Sequence, residues 1–65
     1  MKDSTEAEII AVVTTRDKAD AVTGDIPVFV AADPQEKLAI STTLSRTTRS
    51  MIHELPNGVY ILIRH

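Results

Sequence analysis

A chain of 65 residues with net charge -2, 43% hydrophobic residues and no cysteine is the size of one small domain, residues 1–65, and folding buries only about 60% of the surface of such a chain. Disulfides are excluded, and two histidines without a thiolate do not make a structural zinc site. No stretch approaches the roughly 20 apolar residues of a membrane span and MKDSTEAE lacks the apolar run of a signal peptide, so we expect a soluble, cytoplasmic protein whose thin core is supplemented by oligomerisation.

Charge is unevenly distributed. Up to Glu36 the chain has eight acids and three bases, whereas Lys37, Arg46, Arg49 and Arg64 stand against Glu54 alone in the remainder. The two halves are therefore of opposite sign, an arrangement that suits pairing between copies.

The segment EIIAVVTT, residues 8–15, is β-branched, lacks glycine and proline, and is apolar at both odd and even positions. This is the pattern of a strand buried on two sides. RDKADAVTG, residues 16–24, turns to charged residues and alanine and ends on a glycine suited to a left-handed position, which predicts a short helix. DIPVFVAA, residues 25–32, reads as a second strand whose Pro27 belongs at a strand start or an edge.

The longest readable segment is Asp33 to Gly58. Asp33 is a good N-cap, Pro34 suits the first helical position, and Glu36 can reach back to complete a capping box. At 100° per residue Ile40, Leu44, Thr48, Met51, Ile52 and Leu55 fall within about 120° of arc. These features predict one long helix over residues 34–55. The competing reading starts from ISTTLSRTTRS, whose many hydroxyls are poor helix formers, and from ELPNGVYI, which resembles a hairpin turn and would make residues 47–63 two antiparallel strands. Cap and stripe favour the helix. VYILIR, residues 59–64, is then the third strand.

The expected fold is α/β or α+β in the order β-α-β-α-β, with a three-stranded sheet, one long helix and one short helix. The alternative is a mostly β chain with the 47–63 hairpin. One helix covers one sheet face, which leaves an apolar face (Ile10, Val12, Phe29, Tyr60 and Leu62 by strand alternation) for a second layer. A homo-oligomer in which sheets or sheet edges meet supplies that layer, and a protein partner is the further possibility.

On the predicted helix Arg46, Arg49 and His53 project within about 60° of one another. This is the candidate binding face. Guanidinium groups there would contact phosphate, making a small nucleic-acid-binding regulator the second reading; net charge -2 and only two aromatics weigh against it. The third is a ligand pocket beside Asp33, where a strand gives way to a helix N-terminus. His53 and Glu54 diverge as neighbours and His65 is terminal, so no metal or cofactor is expected. The serines and threonines of residues 41–50 lack the base and oxyanion donor of a catalytic nucleophile and suit bonding back to helix carbonyls. The functional expectation is a non-enzymatic, self-associating interaction module.

Overall fold

The computed structural model describes residues 7–21 and 24–65. Four strands, β1 (Glu8–Thr15), β2 (Val28–Ala31), β3 (Met51–Glu54) and β4 (Tyr60–Arg64), form one sheet in the order β2-β1-β4-β3. A 3-10 segment, Arg16–Ala21, follows β1, and a single α-helix, α1 (Pro34–Thr48), joins β2 to β3. β1 and β2 are parallel, while β4 runs antiparallel to both β1 and β3. The fold is thus α+β, with four strands in place of three and the order β-β-α-β-β apart from the 3-10 segment. The short helix expected after β1 is represented by that segment through Ala21, and Val22 and Thr23 lie outside the described residues.

The predicted helix start is observed. Asp33 Oδ1 accepts from the Glu36 N–H at 2.7 Å, and Glu36 Oε1 accepts from the Ala32 N–H at 2.7 Å. Two otherwise orphaned donors are satisfied reciprocally, with the glutamate reaching one residue beyond the cap.

The predicted helix end at residue 55 is wrong by seven residues. α1 stops at Thr48 because Arg49 takes the left-handed conformation (φ 56°, ψ 47°) with its N–H bonded to the Ser45 carbonyl. Such a conformation disfavours a non-glycine residue by roughly 1–2 kcal/mol, and the hydroxyl-rich sequence around it offsets that cost. Ser50 N–H also donates to the Ser45 carbonyl, Thr48 Oγ1 donates to the Leu44 carbonyl at 2.6 Å, and Thr48 and Ser50 hydroxyls share a 2.7 Å bond. From β4 the Arg64 guanidinium supplies two further bonds, at 3.1 and 3.2 Å, to the Thr48 carbonyl. The cluster of hydroxyls terminates the helix.

After this cap the chain forms the hairpin of the competing reading, shifted to β3 and β4. Leu55, Pro56, Asn57 and Gly58 make a turn in which the Gly58 N–H donates to the Leu55 carbonyl and the Leu55 N–H to the Val59 carbonyl. Gly58 has φ 90°, the conformation that glycine adopts freely after such a turn. Both sequence readings of residues 33–64 are half right: helix to Thr48, hairpin after it.

Register then sorts the side chains. Val13 pairs with Phe29 and Tyr60, and Ala11 with Leu62, which in turn pairs with Ile52. These residues share the face under α1, whose Ile40 and Leu44 pack against the buried cluster of Ala11, Val13 and Leu62. Ser41 is fully buried at the contact and donates to the Lys37 carbonyl; its small side chain lets the helix approach the sheet. A bulge between Ile9 and Ala11 turns Ile10 to this covered side as well. Of the five residues expected on the uncovered face, only Val12 lies there. Alternation divides a strand into two sets, but it does not say which set meets the helix.

Candidate interaction surface

The face opposite α1 is assembled from three rows across the strands. Ile9 lies beside Ile63 and Ile63 beside Met51; Val28, Val12, Ile61 and His53 make the second row; Val30 and Thr14 begin the third. Apart from His53 and Thr14 every one of these is apolar. Thr14 and Val12 are buried, and the 3-10 segment contacts both β1 and β2. The outer positions are open: Met51 is 58% exposed, Val30 47%, Ile9 43% and Val28 41%. A sheet face of this composition without a second layer is the signature of a contact surface.

The apolar surface continues around the β2 edge. On the α1 side of that edge Phe29, Ala39, Ile40, Thr43 and Leu44 line a shallow groove of about 330 Å³, and Leu38 on the helix is 52% exposed. Phe29, read from the sequence as a core aromatic, is 39% exposed. Tyr60, the other aromatic, is half-buried with the Lys37 ammonium 4.2 Å from its ring centroid. Lys37 Nζ also donates to the Gly58 carbonyl, which ties the first turn of α1 to the hairpin turn.

Arg46, Arg49 and His53 are all exposed, but they occupy three different local structures. Arg46 is in the last turn of α1, Arg49 is its left-handed cap, and His53 is in β3 on the open sheet face. The single basic helix face therefore does not form, and with it goes the geometry that suggested phosphate contact along a helix. His53 faces the His65 ring at a centroid distance of 6.0 Å, and among the described residues no third histidine, cysteine, aspartate or glutamate joins them as a metal-binding group.

The position beside Asp33 does carry a cleft, of about 310 Å³, where the parallel strands end; Thr15, Asp17, Lys18, Asp33, Lys37 and Gly58 are among its lining residues. Its polar groups already have partners. Asp33 is the helix cap, Lys37 is bonded to Gly58, and Asp17 accepts from the Thr15 hydroxyl. That last bond is the main reason the Asp17 carboxyl is held below its ordinary 3.8. The cleft reads as the helix start and its caps.

Sequence reasoning found that a face would be uncovered but missed Met51, Ile9, Val28 and Val30 as its exposed members. The available signal was the pair MIHE and VYILIR on either side of LPNG: an antiparallel register across that turn places Met51 opposite Ile63.

No helix among the described residues is long and apolar enough to cross a membrane. Comparison with curated proteins and with solved structures gives no match. A family model described as "Capping complex subunit for YIEGIA" matches residues 6–65, nearly the whole chain, and the protein belongs to that family.

Proposed function

We propose that this protein is a non-enzymatic subunit of a capping complex, which docks on a YIEGIA protein through the open face of its sheet and associates with itself. The observation that carries this reading is the uncharged row of Ile9, Ile63 and Met51, on a sheet that α1 covers on the other side only. The family description supplies the kind of partner; the face supplies the chemistry, an apolar surface that gains by leaving water. A cytoplasmic location is part of the same proposal.

The test is capture of the full-length chain by a YIEGIA protein of the same source, with wild type beside Ile9→Glu and Met51→Glu. Both positions are exposed, so a carboxylate there leaves folding intact but would be desolvated on docking. Loss of capture by both variants, with unchanged circular dichroism, is the expected result. Undiminished capture by both would overturn the assignment of this face.

A further inference from the structure

The β2 edge has a hydrogen-bonding pattern that matches itself. The Val12 N–H donates to the Pro27 carbonyl, and Val12 is in register with Val28. Because successive residues of a strand direct their peptide groups to opposite sides, Pro27, Phe29 and Ala31 face β1, and the N–H and C=O groups of Val28 and Val30 face outward. Among the described residues no strand pairs with that outer edge.

We infer that β2 pairs antiparallel with β2 of a second copy of this chain, about a two-fold axis at Phe29. This rests on the self-associating part of the proposed function and names its interface. In that register Val28 stands opposite the partner's Val30, and Val30 opposite the partner's Val28. Each such pair exchanges two bonds, so all four outward groups of each edge are satisfied, and the spacing of two residues is that of alternate hydrogen-bonded pairs in an antiparallel ladder. The two Phe29 residues form the non-hydrogen-bonded pair between them, where side chains stand closest. Each lies on the α1 side, so the two apolar grooves meet at the axis and the two sheets become one of eight strands.

Composition singles out this edge. Natural edge strands are protected by charge, proline or a bulge; Val28–Ala31 has none of these within it, and the nearest charges, Asp25 and Asp33, lie beyond its ends. The opposite edge, β3, carries His53 and Glu54. Self-complementarity of this kind requires a second copy in a two-fold, isologous contact. A strip as long as β2 and one sheet-plus-helix layer deep is ~13 Å by ~20 Å, so pairing covers on the order of 300 Å² a side, against about 800 Å² in a standard interface. The pairing is therefore reversible, and dilution dissolves it.

The absence of native cysteine makes a direct test available. In an antiparallel non-hydrogen-bonded pair the Cα atoms are about 4.5 Å apart, within disulfide range. Purified full-length Phe29→Cys, oxidised at about 100 µM, is expected to form covalent dimer at least ten-fold faster than Met51→Cys, which is on the other edge. Adding Val30→Pro removes an outward N–H without touching the bonds to β1, and should bring the rate down to that of the Met51→Cys control. Equal rates for the two thiols, or a fast Phe29→Cys reaction that survives Val30→Pro, would overturn the inference. Should Phe29→Cys not fold, sedimentation of Val30→Pro against wild type decides: a dissociation constant raised ten-fold or more supports the pairing and an unchanged one overturns it. Capture by a YIEGIA protein reads Ile9 and Met51 instead, so either result can fail alone.

Discussion

The two faces of the sheet are built from the same kinds of residue and have opposite fates. Along β4, Leu62 is fully buried and touches the α1 side, while its neighbours Ile61 and Ile63 point to the open side and are only half-buried. Along β3, Ile52 packs into the core and the adjacent Met51 is 58% exposed. Hydrophobicity does not separate these pairs. The difference is a second layer: one face has α1 and its Ile40 and Leu44, the other has a short 3-10 segment against two of its four strands. The covered face therefore supplies folding energy, and the open face holds apolar area in reserve for association.

The comparison breaks first at its strongest point. Leu62→Ala should cost about 2–5 kcal/mol, the range for a leucine removed from a core. A domain of this size has at most several kcal/mol in hand, so urea denaturation should show a chain that is largely or partly unfolded. Met51→Glu on the open side should change the unfolding free energy by no more than about 0.5 kcal/mol. Equal destabilisation by the two substitutions would mean that the open face is a folding core after all.

A smaller effect sharpens the role of the cover itself. Asp33→Ala removes the acceptor for the Glu36 N–H and should cost about 1 kcal/mol, read as a lower urea midpoint at unchanged slope. At the other end of α1, Arg49→Gly relieves the left-handed cap and should stabilise by up to about 1 kcal/mol; a loss of stability would show that the Arg49 side chain has contacts of consequence. Both substitutions act on the covered side, so neither should alter capture by a YIEGIA protein.

The smallest expected effect is on pH. Asp17 has its carboxyl lowered, chiefly by the Thr15 hydroxyl, so its contribution is present above the ordinary aspartate value of 3.8 and is lost as pH falls below that value through the folded one. Thr15→Val should flatten this part of the acid-side stability curve. Because Asp17 is fully exposed the slope is slight, and an unchanged curve would mean that solvent screens the bond away.

Much of this was legible in the residues. Alternating β-branched runs marked β1, β2 and β4, and Asp33, Pro34 and Glu36 marked the start of α1 to the residue. The end of the helix was not legible, because Met51, Ile52 and Leu55 continue the helical stripe of Ile40 and Leu44 by angle while also fitting a strand. The candidate basic face was lost with it: Arg46, Arg49 and His53 share a face only if the helix runs on. Local propensity in the hydroxyl run pointed the other way and was the better guide.

The sequence by itself determined that the core would be incomplete, since 65 residues and one long amphipathic segment cannot cover both faces of an apolar sheet. Only the tertiary structure decided which face stays open and which residues it presents. A left-handed Arg49 stops α1, the Leu55–Gly58 turn pairs β3 with β4, and the bulge at Ile10 shifts parity within β1. Each of these is a choice between local conformations of similar energy. Long-range pairing selects among them, and a one-residue shift in register exchanges the buried set for the exposed one.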